Sequence, residues 1–138
     1  MELLDQAQAM GGALKALKDE LHRHPELSNQ ERRTTAFLQE KLTQLGLELV
    51  DLGMETGVVA LLRGGKPGGT VALRADIDAI AQQEAAHDGA LSCVDGVMHG
   101  CGHDFHTAGL YGAASLLCQR RDTLPGSVVF LFQPAEEV

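Results

Sequence analysis

The sequence is poor in aromatic and basic residues. It has no tryptophan and one tyrosine, which argues against an aromatic-rich binding surface. Eleven lysines and arginines face 19 aspartates and glutamates, and the resulting net charge of -8 argues against a nucleic-acid partner, which requires a basic surface. No apolar run approaches membrane-spanning length, and the N-terminus lacks the basic start and apolar core of a signal peptide. We therefore expect neither a nucleic acid nor a membrane as partner.

Cysteine is also scarce. Cys93, Cys101 and Cys118 form an odd, widely spaced set, which does not fit a disulfide framework and favours the reducing cytoplasm. The 138 residues suffice for one domain with a proper core, and a hydrophobic content of 44% is ordinary for a globular protein. The 16 glycines fit an α/β protein with tight turns.

Two helices are predicted in the first third of the chain. Helical spacing of leucines predicts a helix over about Leu3 to His24, ended by Pro25. The stretch "SNQE" from Ser28 has the S-x-x-E pattern of a capping box and predicts a second helix, which Gly46 ends.

Helical and strand-like segments then alternate. Strands are predicted at Leu47–Leu52, Gly57–Gly64, Thr70–Asp78 and Ser127–Pro134, and a helix at His106–Arg121. This alternation predicts a layered α/β sandwich with a mainly parallel or mixed sheet. Polar clusters directly follow the third and fourth strands, and sites in open α/β sheets gather at the carboxyl ends of strands.

The stretch "GVMHGCGHDFHTAG" packs three histidines, a cysteine and an aspartate into fourteen residues. Thiolate and imidazole are good ligands for zinc and similar ions, so Cys101 and His103, two positions apart, are candidate ligands. Two other interpretations remain. The stretch could be a loop without a ligand, or Cys101 could be a nucleophile with His103 or His106 as its base.

Two pairs of carboxylates follow strands. Glu136 and Glu137 either begin a solvated helix or divide two tasks, one holding an ion and one accepting a proton from water. Asp76 and Asp78 share a face of an extended segment. They either cap a helix and pair with Arg74, or they orient a ligand histidine.

The other histidines are assigned no chemistry. His22 and His24 lie at a predicted helix end, where histidine is favourable against the helix dipole, so both are interpreted as structural. His87 lies in a polar loop and is given no role.

The ordered motifs "HRHPELS", "ALRADIDA", "MHGCGHDFHTA" and "FQPAEE" resemble those of the M20 metallopeptidases. The amidohydrolase branch is most similar, with N-acyl-amino-acid amidohydrolases, hippurate hydrolases and auxin-conjugate hydrolases. This resemblance implies a three-layer α/β/α zinc-peptidase-like catalytic domain, incomplete at the C-terminus. Residues 1–138 would be its N-terminal part, without the inserted dimerisation domain that makes family members homodimers.

The resemblance also implies a site. Two divalent ions, zinc or manganese, would be held by Cys101 as the bridging ligand and by His103 and Glu137. Glu136 would be the general base, and Asp78 the acid behind the metal site, so these two are the candidate catalytic residues. The implied reaction is hydrolysis of the amide bond of an N-acylated amino acid or small peptide.

The chain departs from the family pattern in two ways. The segment "DAIAQQE", which begins with Asp78, lacks the family's usual proline, which affects the following loop. Family members also run well beyond the "EE" motif and draw two further histidine ligands from later segments. The alternative to the enzyme is therefore an inactive fragment that acts at most as a partial metal-binding module.

Overall fold

The computed structural model describes residues 2–138 as a four-stranded mixed sheet with helices packed against it. The α-helices are α1 (Leu3–Ala9), α2 (Gly11–Arg23), α3 (Arg32–Gln44) and α4 (His103–Cys118). The strands are β1 (Glu48–Leu49), β2 (Val58–Arg63), β3 (Lys66–Asp76) and β4 (Pro125–Gln133), and a 3-10 turn lies at Arg121–Thr123. Among residues 2–138, no helix reaches the length and apolarity that crossing a membrane requires.

The sheet has the order β1-β2-β4-β3, which places β2 and β4 in the centre. The pairs β1–β2 and β2–β4 are antiparallel, whereas β3 and β4 run parallel. In the parallel pair Asp76 lies opposite Gln133, so both strands end at the same edge of the sheet. The segments that follow them therefore start side by side, which confirms the α/β architecture and the expected meeting of the two polar clusters.

One face of the sheet carries the main core. Phe130 and Phe132 of β4 are buried there with alternate residues of β2, because side chains of a strand alternate between faces. Leu38 and Leu42 of α3, with Leu110 and Ala114 of α4, cover this face. Alternate side chains of β4 point to the other face and stay partly exposed. Helix α2 packs on the outside of α4.

The predicted first helix is divided in two. Met10 ends α1, and its N–H donates to the carbonyls of Gln6 and Ala7. Helix α2 then starts with Gly11 and Gly12, the pair whose low helix propensity weakens this part of the chain. The helix ends at Arg23, as the following proline requires.

The predicted capping box is wrong. The Ser28 hydroxyl does not cap α3 but donates to Asp78 Oδ2 at 2.7 Å. The first turn of α3 is instead capped by the carboxylate of Glu26, which accepts the backbone N–H groups of Arg33 and Thr34 at 3.0 and 2.6 Å. A serine that the local pattern assigns to a helix end thus contacts a residue fifty positions away.

Phe130→Ala should lower the free energy of unfolding by about 3–5 kcal/mol, because the side chain is fully buried between sheet and helices. Urea denaturation measures this loss. Phe105→Ala is the matched control, since Phe105 is 65% exposed, and it should cost less than about 1 kcal/mol. Equal losses in the two variants would contradict the assignment of the core.

Candidate metal centre

The segments that leave β3 and β4 are pinned together at one edge of the sheet. The N–H of Ile77 donates to the carbonyl of Gln133 at 3.0 Å and continues the parallel pairing by one step. The N–H of Ala135 donates to Glu31 Oε1 at 2.8 Å, and Glu31 is fully buried. Glu31, which the sequence suggested only as the glutamate of a capping box, thereby fixes the turn that carries Glu136 and Glu137.

His103 is the first residue of α4 and is only 4% exposed. Gly102 precedes it in the left-handed region (φ +81°), a conformation that favours glycine and turns the chain into the helix. His103 Nδ1 lies 2.8 Å from the carbonyl oxygen of Asp78 and 3.0 Å from its Oδ1. Both atoms are acceptors, so Nδ1 carries the proton in the neutral ring and Nε2 keeps its lone pair.

Three carboxylates surround His103 Nε2. Asp76 Oδ2 lies at 3.4 Å, Glu137 Oε1 at 3.5 Å and Glu136 Oε2 at 3.6 Å. Such a concentration of negative charge beside a buried imidazole is unfavourable unless a cation balances it. Imidazole nitrogen and carboxylate oxygen are ligands that zinc and manganese accept, so the donor set fits a divalent ion.

Two groups of donors share His103. One contains Asp78, His103 and Glu136, and the other contains Asp76, His103 and His106. Within each group the donor atoms lie within 4.8 Å of one another. Because His103 Nε2 has one lone pair and binds one ion, these groups are not two separate sites; they show that carboxylate and imidazole donors surround His103 on two sides. Glu136, expected from the resemblance to be the base, is close enough to be a ligand as well.

Asp78 is the buried centre of the hydrogen-bond network. Its Oδ2 accepts the Ser28 hydroxyl at 2.7 Å and the Glu137 N–H at 3.0 Å, while Oδ1 faces His103. Burial by itself raises the pKa of Asp78, but the Glu137 N–H and the Ser28 hydroxyl outweigh it and hold the pKa below its usual value. Asp78 is therefore ionised and orients both His103 and the backbone of Glu137.

Cys101 lies beside this network but is exposed. The carboxylate of Glu137 is the main cause that raises the pKa of the Cys101 thiol to about 11. A nucleophilic cysteine requires a lowered pKa and a histidine base. Here its neighbour is a carboxylate, which disfavours the nucleophile. The Cys101 sulfur also lies outside the two groups of converging donors.

The pairing of His106 with Asp76 was not expected. His106 Nδ1 lies 2.7 Å from Asp76 Oδ1, and its ring stacks on that of His103 with the centroids 5.6 Å apart. The spacing accounts for the stacking, because residues three apart on a helix share a face, but it gives no signal for the pairing with Asp76, thirty residues away. The expected pairing of Arg74 with Asp76 is also present, at 3.6 Å.

A second polar network surrounds His22, near the end of α2. His22 Nδ1 lies 2.7 Å from Asp104 Oδ2, and its Nε2 lies 2.5 Å from Glu84 Oε2. Burial lowers the pKa of His22, but the hydrogen bonds to Glu84 and Asp104 outweigh it and raise the pKa above 6.5. His87 Nε2 reaches the same Glu84 oxygen at 3.2 Å. His99 is buried nearby, and burial lowers its pKa to about 4, so its ring is neutral. His22 and His87 thus have partners that the sequence did not reveal.

The His22 pair should make stability depend on pH. Because the pKa of His22 is raised, its contribution to the free energy of unfolding is complete below pH 6.5 and is lost as the pH rises past the raised pKa. Burial opposes ionisation of Glu84, yet the Ser92 N–H and His22 lower its pKa to about 2. The contribution of Glu84 to the free energy of unfolding is therefore complete above pH 4.5 and is lost toward pH 2. The stabilisation by the pair is therefore greatest between pH 4.5 and 6.5. Urea unfolding with a chelator present should show a larger difference between wild type and His22→Asn at about pH 6 than at about pH 9. Equal differences would contradict the protonated pair.

Comparison with known proteins agrees with this fold and donor set. The family model described as peptidase family M20/M25/M40 matches residues 72–138. An N-acetylcysteine deacetylase of Bacillus subtilis is 49% identical over 123 residues, which are 88% of this chain and 32% of the relative. An N-acyl-L-amino acid amidohydrolase of Geobacillus stearothermophilus is 46% identical over 123 residues, 89% of this chain and 33% of that protein.

Two solved structures are similar throughout. One is a Bacillus subtilis protein described as a dinuclear metal-binding peptidase from the M20 family, with a TM-score of 0.90 and 47% identity, covering 95% of this chain and 37% of that one. The other is a putative aminohydrolase from methicillin-resistant Staphylococcus aureus, with a TM-score of 0.92 and 37% identity, covering 99% of this chain and 36% of that one. The fold is thus the one that these two solved structures share. The chain is similar to the M20 peptidases, with the family model matching residues 72–138, and it spans about a third of the length of the relatives it matches.

Proposed function

We propose that the protein carrying this chain hydrolyses the amide bond of an N-acylated amino acid or small peptide with two divalent ions, zinc or manganese. One observation carries the proposal. His103 is oriented by the ionised Asp78 and presents Nε2 to three carboxylates. The relatives named N-acetylcysteine deacetylase and N-acyl-L-amino acid amidohydrolase support this substrate class.

Each site residue then has one task. Cys101, His103 and Glu137 would hold the ions, which supply a water of lowered pKa and polarise the scissile carbonyl. Glu136, whose side chain is 37% exposed, is open to the solvent side of the centre. It accepts the proton of the attacking water and returns it to the departing amine. Asp78 touches no substrate in this scheme and acts by orienting His103.

The location, oligomeric state and partners of the protein are part of the same proposal. Residues 1–138 are part of a catalytic domain in a cytoplasmic homodimer. The net charge of -8 disfavours a nucleic-acid partner, and no membrane partner is proposed.

Removal of metal is the direct test of this function. Dialysis against a chelator should abolish hydrolysis of N-acyl amino acids, and added zinc or manganese should restore it, because the ions activate the water. Treatment with iodoacetamide, which alkylates Cys101, should abolish activity whether Cys101 is a ligand or a nucleophile. It is therefore informative only together with the chelator result. Full activity in chelator together with loss of activity after alkylation would overturn the proposal in favour of a nucleophilic cysteine.

A further inference from the structure

We propose that His22, Glu84 and His87 form a further divalent-cation site that shares no ligand with the His103 centre and takes a zinc-like ion. The donor atoms are His22 Nε2, a carboxylate oxygen of Glu84 and His87 Nε2, and all lie within 4.8 Å of one another. Glu84 Oε2 lies 2.5 Å from the first nitrogen and 3.2 Å from the second. Two imidazoles and one carboxylate suit zinc, with water completing the four ligands.

The first two donors are already oriented for an ion. His22 Nδ1 donates to Asp104 Oδ2 at 2.7 Å, and Asp104 is 1% exposed, so the ring is held with Nε2 toward Glu84. Glu84 Oε1 accepts the N–H of Ser92 at 2.6 Å, which leaves Oε2 for another partner. A carboxylate behind a ligand histidine is the usual support of a protein metal site, since it fixes the tautomer and raises the basicity of the ligand.

The third donor provides access from solvent. The His87 side chain is 45% exposed, whereas those of His22 and Glu84 are 12% and 6% exposed. His87 Nδ1 accepts the N–H of Gly89 at 2.9 Å, so in the neutral ring Nε2 carries the proton. Ligation through Nε2 moves this proton to Nδ1 and ends the contact with Gly89. The freed N–H is exposed and reaches water, so the exchange costs little and has a local spectroscopic signature.

Cation and proton compete at this site. Without an ion, protons on His22 and His87 bridge to Glu84, and the buried Asp104 on α4 adds a second negative charge. The ring of His99 lies 6.4 Å from that of His22 and is a further titratable neighbour, and Asp88 follows His87 in the exposed loop. An ion displaces the bridging protons, so its binding releases protons and weakens as the pH falls. A bound ion would clamp the loop of Glu84 and His87 to α2.

The experiment counts zinc ions in the protein that carries this chain. Wild type, His87→Ala and His24→Ala are equilibrated with zinc at about pH 7.5 and analysed by mass spectrometry for bound metal. His87 is exposed, so its replacement should leave the fold intact. His24 is the matched control, a histidine at the same helix end whose partner is Glu20 rather than the cluster.

We expect His87→Ala to bind one zinc ion fewer per chain than wild type and His24→Ala. In wild type the Gly89 amide resonance should shift as zinc is added, and the extra ion should be lost at about pH 5.5. Equal zinc counts in all three proteins would overturn the proposal and leave a cluster held by protons alone. A lower count in His87→Ala without a shift of Gly89 in wild type would equally contradict ligation by His87 Nε2.

Discussion

Replacement of Glu136 by glutamine should lower the rate of amide hydrolysis about 10²–10⁴-fold while the metal stays bound, the usual contribution of a general base. Glutamine keeps the shape and the hydrogen-bonding reach of glutamate but accepts no proton from water. Glu136 lies 3.6 Å from His103 Nε2 at the open side of the centre, where a water beside the ions would be within its reach. Steady-state kinetics with an N-acyl amino acid, together with metal analysis of the same sample, measure the two quantities.

The control for this variant is Glu40→Gln. Glu40 is an exposed residue of α3 whose side chain accepts a hydrogen bond from Gln44, and its replacement should leave both rate and metal content unchanged. Glu136→Gln with near wild-type activity and bound metal would remove Glu136 from the role of base. A variant that loses the metal instead would assign Glu136 to the ligands, a role that its place beside Asp78 and His103 also allows.

Replacement of Asp78 by alanine should be the most damaging single change for the centre. It removes the acceptor of the Ser28 hydroxyl and of the Glu137 N–H, and it leaves buried His103 Nδ1 only the backbone carbonyl of residue 78. Unsatisfied buried donors and a broken buried charge network cost on the order of 3–5 kcal/mol of unfolding free energy. Loss of the residue behind a ligand histidine typically lowers metal affinity about 10–100-fold.

Urea denaturation in chelator and zinc titration separate the two effects of Asp78→Ala. The control is Asp51→Ala, because Asp51 is exposed and accepts only the Gly53 N–H. It should cost less than about 1 kcal/mol and leave zinc affinity unchanged. An Asp78→Ala protein with the unfolding midpoint and the zinc affinity of wild type would contradict the role of this carboxylate.

The strands of the sheet, and the edge at which the candidate metal centre lies, can be predicted from the sequence because their signals are local. Apolar runs predict β2 and β4, and polar residues directly after strands predict where the site lies. The parallel pairing of β3 with β4 then brings Asp78 and the glutamates together. The strand predicted at Leu47–Leu52 shrinks to two residues, and β3 begins at Lys66 rather than at the predicted Thr70. Strand boundaries of this kind depend on the strand that pairs with them, and that strand is distant in sequence.

The contacts that hold the centre are the part that local patterns do not reveal. Ser28 fits a capping box by its neighbours, but its partner is Asp78, fifty residues later. His22 fits a helix end by its position, but its partners are 62 and 82 residues away. The spacing of Cys101 and His103 predicts two ligands without predicting that Asp78 fixes the ring of one of them. Chemistry-bearing residue types are visible in sequence, whereas their orientation depends on tertiary packing.

The most direct test of the central claim is a crystal structure of the zinc-loaded protein with anomalous diffraction at the zinc edge. We predict a peak about 2.0–2.1 Å from His103 Nε2, with the Cys101 sulfur about 2.3 Å from a zinc ion. Asp78 should remain hydrogen-bonded to His103 Nδ1 and should not bind the metal. Zinc sites that leave His103 Nε2 without a metal bond would contradict the account.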